Sequence, residues 1–532
     1  MDSKKMKAAL SLLLLVTMIL AGCSGKETGG QGAATQAEGS AQEAPAAQDL
    51  KIALNAQPTT LDTQMTTAWV TTHVSRNIYE TLMVADEHYQ IKPMLAESYV
   101  VSADAKTFTF KLRKGVLFHN GKEMKADDVA ASMNRWMKLT TVGKATFGDS
   151  KFTKVDDYTV EMKLDKPSGV ALQVMTNTNQ FAAIMPKEVA DTATDSGVKE
   201  YIGTGPYKFD EWKQDQFIHL TKFDGYKPLD GEPSGLAGHK EALTTDLYFD
   251  FVTDSSTRLA GLQSGQYDVA MELPPDNLAQ LKADPDIKTY TSFTGYNPLI
   301  LNNKKGIFSN VKARQAVAAA LDMDAIMKGA YGDPEFYRID GGIMMKEQSN
   351  WYSEAGLENY NQKNKEKAIQ LLKEASYNGE PVRLITSRDY EDLYNTCVVI
   401  KAQLEEIGMN VDLQTYDWGT VLSKQPNPDA WDFFPTTFSS KTDPTQILYL
   451  DSRNGWAGWT NNPIIDKLLD QIRSSSSQEQ SKKWFDEVQK EFWTSVPVIK
   501  LGDKYALMAS GSKVEGFRYF EGPVFWNVKK TA

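Results

Sequence analysis

The chain has 532 residues, 41% of them hydrophobic, and a formal net charge of −11. This length exceeds one compact core and predicts two or more lobes, while an acidic chain without a basic stripe excludes nucleic acid as a partner. Because Cys23 and Cys397 are the only cysteines, a disulfide framework is also excluded and stability must come from core burial.

The chain begins with the pattern of an export signal. Lysines at positions 4, 5 and 7 precede an apolar run over residues 8–20, followed by Ala21, Gly22 and Cys23. The run is shorter than the roughly 20 residues that a membrane-spanning helix needs, so we interpret residues 1–22 as a cleaved signal peptide. Its end resembles a lipoprotein signal box, which implies lipidation of Cys23. An ordinary signal peptide with an incidental cysteine is the alternative.

Residues 23–49 are predicted to form a flexible linker after the lipidated cysteine. Their composition is dominated by Gly, Ala, Gln, Glu, Ser and Thr, without a large apolar residue between positions 24 and 48. Such a segment cannot bury a core and acts as a spacer. If the lipid signal is false, the same segment is the tail of an unanchored secreted protein.

The first clear strand and helix lie between residues 107 and 136. Residues 107–112 alternate apolar and polar side chains, which is typical of a half-buried strand. A turn follows at residues 119–121. Asp127 is then predicted to cap a helix whose apolar face includes Val129, Met133 and Trp136.

Later segments predict alternating strands and helices. Residues 203–206 (Gly-Thr-Gly-Pro) indicate a tight turn that enters a strand at Tyr207. Strands at 382–385 and 411–413 flank a helical stripe that ends at Gly408, which is one βαβ unit of a parallel sheet. Near the end, Asn462 and the proline after it start a helix, and another follows over positions 484–492. The fold class is therefore α/β.

The sequence offers no recognisable catalytic or metal constellation. The five histidines are scattered, and none has the i, i+4 partner that a helical zinc site uses. Cys397 lies on the apolar stripe of its helix and is interpreted as core rather than as a nucleophile. We therefore predict a protein that is not an enzyme and needs no cofactor or metal. An unrecognised secreted hydrolase is the rival hypothesis.

Read in order, the chain resembles extracellular solute-binding protein family 5, in its lipoprotein form. This family includes the oligopeptide-, dipeptide-, glutathione- and nickel-binding receptors of ABC importers. The order and spacing of short stretches across the chain carry the resemblance. These stretches are residues 77–82, 108–128, 203–207, 262–268, 311–322 and 416–418.

The resemblance implies a type II periplasmic-binding-protein fold with two lobes, a hinge and a subdomain inserted in the first lobe. The first lobe is expected over residues 50–302, with the insertion at about 74–201. The second lobe is expected over 303–499, and residues 500–532 return to the first lobe. Closure of the lobes on a small polar solute would produce a change of shape that a membrane permease can sense.

The resemblance also implies two charged ligand contacts. In peptide-binding relatives an arginine before the first long helix of the second lobe can meet the ligand carboxylate, and Arg388 lies at that place, with Tyr390 close by. A surface pairing of Arg388 with Asp389 or Glu391 is the alternative. The aspartate that holds the peptide amine in those relatives is replaced by Ser440, which precedes Asp443.

A missing amine anchor weakens the case for an ordinary free-amine peptide, because an unpaired buried ammonium is costly. We therefore expect an anionic or polyhydroxylated solute, or a peptide whose amine is held elsewhere, by Asp389 or Asp443. Aromatic and polar side chains should line the cleft. The candidates are Trp69, Thr67, Tyr296, Asn297 and Trp418, although each aromatic ring could equally belong to the core.

The predicted partners are a small-molecule or short-peptide ligand, an ABC permease and its ATPase, and the membrane through the lipid anchor. The protein is expected to be a monomer on the extracytoplasmic face of the cell membrane, or on the periplasmic side where an outer membrane exists. A surface-anchored signalling or chaperone protein of the same fold, which binds peptides without transport, stays open as an alternative.

Overall fold

The computed structural model describes residues 49–531. The predicted signal peptide, Cys23 and nearly all of the linker lie outside these residues. No helix among residues 49–531 combines the length and apolar character needed to cross a membrane.

The strands and helices alternate along most of the chain. The strands are β1 (Asp49–Leu54), β2 (Met83–Ala85), β3 (Ile91–Pro93), β4 (Ala96–Val101), β5 (Thr107–Leu112), β6 (Lys151–Asp156), β7 (Thr159–Lys163), β8 (Tyr207–Lys213), β9 (Phe217–Lys222), β10 (Asp246–Phe251), β11 (Val269–Leu273), β12 (Ile287–Leu301), β13 (Tyr337–Arg338), β14 (Val382–Ser387), β15 (Val411–Tyr416), β16 (Phe433–Pro435), β17 (Val498–Gly511), β18 (Val514–Glu515), β19 (Arg518–Tyr519), β20 (Pro523–Val524) and β21 (Lys529–Lys530). The α-helices are α1 (Trp69–Ser75), α2 (Ala126–Leu139), α3 (Thr141–Phe147), α4 (Ala171–Met175), α5 (Lys187–Asp191), α6 (Ser255–Gln263), α7 (Leu278–Lys282), α8 (Val311–Ala320), α9 (Met323–Tyr331), α10 (Lys365–Glu374), α11 (Glu391–Glu405), α12 (Trp418–Lys424), α13 (Pro463–Arg473) and α14 (Gln478–Ser495).

Two long antiparallel strands, β12 and β17, connect the two halves of the main sheet. Their pairing runs from Ile287 opposite Gly511 to Ile300 opposite Val498. β11 continues the sheet beside one end of β17, whereas β16 continues it beside the other end of β12. The strand order is β15-β14-β16-β12-β17-β11-β1-β10-β9-β8. The β11-to-β8 half is called the first lobe here, and the β16-to-β15 half the second lobe.

The first lobe combines parallel and antiparallel strands over one apolar core. β1 lies parallel to β10, and β9 and β8 extend the sheet in antiparallel order. The C-terminal segment returns to this core, because the rings of Phe249 in β10 and Phe525 in the tail are 5.4 Å apart. Tyr207 begins β8 directly after the Gly-Thr-Gly-Pro turn, as predicted.

The second lobe contains the predicted βαβ unit. β14 and β15 pair in parallel, with Val382 opposite Val411, and α11 connects them. Cys397 on α11 is fully buried, and burial raises the pKa of its thiol to about 12, so the prediction of a core residue is confirmed. The predicted cap of α13 is also present, since the Asn462 side chain accepts the backbone N–H of Ile464 at 3.0 Å.

A separate four-stranded antiparallel sheet, β4-β5-β7-β6, packs beside α2. The strand predicted at 107–112 is β5, and its burial alternates as the sequence pattern indicated. The predicted cap of α2 was wrong, because the cap residue is Lys125. Asp128 in the first turn accepts the Lys125 backbone N–H at 3.0 Å, while Asp127 pairs with Lys154 at 2.8 Å.

The structure contains the two lobes, the crossing strands and the additional sheet that the fold class requires. The residue numbers predicted for the lobe boundaries stay a prediction.

Candidate functional site

A cavity of about 830 Å³ lies where the crossing strands meet both lobes. Its size is in the range of pockets that hold small organic ligands. Two β-bulges lie at this place, one in β12 between Phe293 and Gly295 and one in β11 between Ala270 and Leu273. Bulges redirect side chains and are common beside binding sites. The cavity therefore lies where the regular sheet is interrupted.

The crossing strands provide the floor of the cavity. β12 contributes Phe293 and β17 contributes Lys504 and Tyr505. The rings of Phe293 and Tyr505 meet edge to face with centroids 6.0 Å apart. Lys504 Nζ is 2.8 Å from a carboxylate oxygen of Asp392 on α11, so this pair ties the floor to the second lobe.

An aromatic group from the first lobe forms one wall. Trp69 and His73 lie on α1, and Tyr519 lies on β19. The His73 ring centroid is 6.4 Å from that of Trp69 and 6.5 Å from that of Tyr519. Burial, and secondarily the charge of Arg76, lowers the pKa of His73 to about 3, so its imidazole is neutral. Among the described residues its Nε2 has no hydrogen-bond partner.

Two glutamates on the same wall have left-handed backbone conformations. Glu272 lies in the β11 bulge with φ 50°, and Glu521 lies in the turn between β19 and β20, also with φ 50°. Asn55 Nδ2 donates to Glu272 at 2.6 Å, and desolvation raises the pKa of the Glu272 carboxyl group. Positive φ is uncommon for residues other than glycine and occurs in tight turns as well as at binding sites.

The second lobe supplies the opposite wall. The hydroxyl of Tyr331, at the end of α9, lies 2.9 Å from the side-chain oxygen of Asn297 and 3.1 Å from a carboxylate oxygen of Asp392, and it can donate to one of them at a time. Glu391 and Asn395 lie with Asp392 in the first turns of α11 and also line the cavity. Further lining residues are Thr437, Phe438 and Ser439.

The lining carries more negative than positive charge. Its carboxylates are Glu272, Asp276, Glu391, Asp392 and Glu521. Among the described lining residues Lys504 is the only lysine, no arginine is present, and the buried imidazole is neutral. Lys504 pairs with Asp392, and the cations Arg76 and Lys441 outside the lining interact electrostatically with Glu521, so the excess of negative charge is partly compensated.

Some residues proposed from the sequence lie in or next to the cavity. Trp69 lines it. Tyr296 and Asn297 are buried in β12 behind the lining, where the Tyr296 hydroxyl meets the Tyr449 hydroxyl at 3.1 Å. Ser440 follows the lining residue Ser439, and its hydroxyl donates to the Glu521 carboxylate at 2.5 Å.

The other proposed residues lie outside the lining. Arg388 is exposed and its guanidinium lies over the Tyr394 ring. Tyr390 and Trp418 pack against each other with ring centroids 4.8 Å apart. Asp443 is buried and accepts the Thr445 backbone N–H at 2.9 Å, while the Thr67 carbonyl accepts from Asn179. Ligand contacts by these residues stay predictions.

The sequence did not identify four residues that shape the cavity. Lys504 and Tyr519 belong to the segment that was expected to return to the first lobe, but no motif distinguished them. Glu272 and Glu521 reach the cavity through a bulge and a tight turn. The Gly522 that follows Glu521 was the available signal for that turn.

Comparisons with known proteins give one consistent family. The family described as bacterial extracellular solute-binding proteins, family 5, matches residues 90–459. A probable peptide ABC transporter periplasmic-binding protein, y4tO, from Sinorhizobium fredii is 30% identical, with 88% of this chain and 91% of the relative covered.

Two solved structures have the same fold. AgaA of A. tumefaciens, in complex with agropinic acid, is 27% identical with a TM-score of 0.73 and covers 91% of this chain and 99% of its own. The oligopeptide-binding protein AppA of Bacillus subtilis, in complex with a nonapeptide, is 26% identical with a TM-score of 0.68 and covers 89% of this chain and 96% of its own.

Proposed function

Because this chain belongs to the bacterial extracellular solute-binding proteins of family 5, we propose that it is the solute-binding receptor of an ABC importer. In this proposal it captures a short peptide or peptide-like solute between its lobes and delivers it unchanged to a membrane permease. The observation that carries the proposal is the cavity of about 830 Å³, whose walls come from both lobes and whose floor comes from the two crossing strands.

The lining supports a peptide-like solute over an anionic one. Five carboxylates face one lysine, so a sugar acid would meet repulsion on several sides. Aromatic rings, hydroxyls and an amide in the same lining offer flat contact area and hydrogen bonds to a peptide backbone. The sequence-based case against a free-amine peptide rested on Ser440 in place of an aspartate, whereas Glu521 provides a carboxylate next to the Ser440 hydroxyl.

A sugar-acid or opine-like solute is the second candidate. The structural likeness to AgaA, which was solved with agropinic acid, is the observation that favours it. In that case Lys504 would have to leave Asp392 and bind the ligand carboxylate.

Closure around the crossing strands is the proposed working step. A solute that contacts both walls favours the closed arrangement in proportion to its additional affinity for that state. We further propose that lipidated Cys23 tethers a monomer outside the cell membrane, where the permease and its ATPase receive the solute. A peptide-binding signalling or chaperone role would use the same cavity without those partners.

Native mass spectrometry of residues 49–532 tests the ligand class. The probes are an equimolar library of Xaa-Ala-Ala tripeptides and a panel of sugar acids. We expect retention of tripeptides, and Trp69→Ala should weaken it at least tenfold, whereas Trp212→Ala outside the cavity serves as the matched control. Retention of sugar acids alone would favour the second candidate, and retention of neither set would contradict a peptide or sugar-acid receptor.

A further inference from the structure

The turn that carries Glu521 is held by an unusual number of specific contacts. It connects β19 and β20 and closes through a 2.9 Å hydrogen bond from the Phe520 N–H to the Gly522 carbonyl. The buried Arg76 guanidinium donates to the carbonyls of Phe520 at 3.0 Å and Glu521 at 2.5 Å. Gly522 has φ 126°, and a Cβ atom at this position would lie 2.9 Å from Arg76 Cζ, so a larger residue would strain the backbone and displace the guanidinium.

A second strained turn meets the first. Tyr89, between β2 and β3, has φ 57°, and its ring centroid is 5.1 Å from that of Phe520. Its hydroxyl donates to Glu521 Oε1 at 2.5 Å. Two left-handed residues from distant parts of the chain are thus held against each other, and their contact fixes the direction of one carboxylate.

The Glu521 carboxylate lies where the two lobes approach each other. Ser440 of the second lobe donates to the same oxygen, Oε1, at 2.5 Å. Within the described residues Oε2 has no hydrogen-bond or ion-pair partner, although a carboxylate oxygen accepts about two hydrogen bonds. This oxygen retains the capacity to accept hydrogen bonds from a solute.

The surroundings of Glu521 also offer groups that a solute could contact. His73 is 4% exposed, lines the same cavity and leaves its Nε2 unpaired among the described residues. The neighbouring rings of Trp69 and Tyr519 offer faces that attract cations. A neutral imidazole nitrogen, ring faces and a carboxylate together match an ammonium group that carries N–H donors.

We propose that Glu521, from the C-terminal turn of the first lobe, binds the ammonium group of the solute and joins the two lobes through Ser440. This inference rests on the proposed function and specifies its ligand as an amine-bearing one. Two alternative carboxylates fit less well, because Asp392 is paired with Lys504 and Asp443 is buried outside the lining. Ser440 then acts as the contact between the lobes, while the Tyr89 hydroxyl and the turn hold the Glu521 carboxylate in place.

A cycle of protein and ligand changes tests this anchor. The tripeptide that binds most tightly in the Xaa-Ala-Ala library is compared with its N-acetylated form by calorimetry, in the wild type and in Glu521→Gln. In the wild type, acetylation should weaken binding about 10- to 100-fold, because it removes a charged hydrogen bond. In Glu521→Gln, the free-amine peptide should lose a similar factor, while the acetylated peptide changes less than threefold.

Two further variants separate anchoring from closure. Ser440→Ala should weaken the free and acetylated peptides by similar factors, because it removes a contact between lobes. Glu515→Gln is the matched control, since Glu515 pairs with Lys529 elsewhere in the tail. Equal binding of both peptide forms to the wild type would overturn the anchor, as would equal losses for both forms in Glu521→Gln. If no peptide form binds the wild type, the proposed function fails instead.

Discussion

The two walls of the cavity are built in different ways. The second-lobe wall stands on regular elements, with Asp392 in the first turn of α11 and paired with Lys504. The first-lobe wall presents Glu272 and Glu521 from left-handed backbone positions, and neither has an ion-pair partner among the described residues. The second-lobe wall is thus held by an ion pair, whereas the two carboxylates of the first-lobe wall have hydrogen-bond donors but no ion pair among the described residues. Variants on each wall test this difference.

Removal of the Arg76 guanidinium should have the largest effect on folding. Arg76→Met leaves the carbonyls of the Glu521 turn without their donor, and we expect the free energy of unfolding to fall by about 2–4 kcal/mol. Urea denaturation measures the change. Arg388→Met, at an exposed position, is the control and should cost less than about 1 kcal/mol. Equal costs would show that the turn is not held by Arg76.

The buried imidazole should give the first-lobe wall a pH dependence. In the unfolded chain His73 takes up a proton near its usual pKa of 6.5, whereas in the folded protein the pKa is about 3. The folded state therefore loses stability as pH falls through this window. The His73 contribution between pH 7 and 5 is about 2 kcal/mol.

This dependence can be isolated by substitution. The difference in unfolding free energy between wild type and His73→Gln should change by about 2 kcal/mol between pH 7 and pH 5. Glu272 has a raised pKa and therefore the opposite pH dependence, but it is present in both proteins and cancels in this difference. The same substitution at exposed His88 is the control. A difference that stays constant between pH 7 and 5 would argue against a neutral, buried His73.

Removal of the Lys504 charge probes the second-lobe wall. Lys504→Met separates Asp392 from its cation at a half-buried position, and we expect a loss of about 1 kcal/mol of stability. Lys282→Met breaks an exposed pair with Glu335 and should cost less. If Lys504→Met is neutral, the second-lobe wall is not internally stabilised by this pair.

Substitution of Arg388 should have the smallest effect on binding. The guanidinium lies on the Tyr394 ring outside the lining, so Arg388→Ala should change tripeptide affinity less than threefold in calorimetry. A loss of tenfold or more would instead support the sequence-based assignment of Arg388 to the ligand carboxylate.

Local patterns in the sequence predicted much of the fold. Three correct predictions depend on residues that are close together in the sequence. They are β5, the βαβ unit formed by β14, α11 and β15, and the Asn462 cap. Periodicity and cap residues report such interactions directly. The prediction that Asp127 caps α2 was wrong because Asp127 and Asp128 are adjacent and either could supply a capping carboxylate. In the structure Asp128 accepts the Lys125 backbone N–H.

The cavity was less accessible to sequence reasoning because it depends on distant contacts. Glu521 meets Tyr89, which lies 432 residues earlier, and Ser440, which lies 81 residues earlier. Glu272 reaches the lining through a bulge that no local pattern indicated. Trp69 was proposed because the threonines around it and His73 do not form an apolar stripe, and it does line the cavity.

A crystal structure of the protein with the best-bound tripeptide would show whether the cavity holds the peptide and whether Glu521 binds its ammonium group. We predict that the peptide lies in the cavity of about 830 Å³, in contact with residues of both lobes and with its ammonium within hydrogen-bond distance of Glu521. A peptide bound elsewhere, or one that touches a single lobe while the other remains apart, would contradict the account.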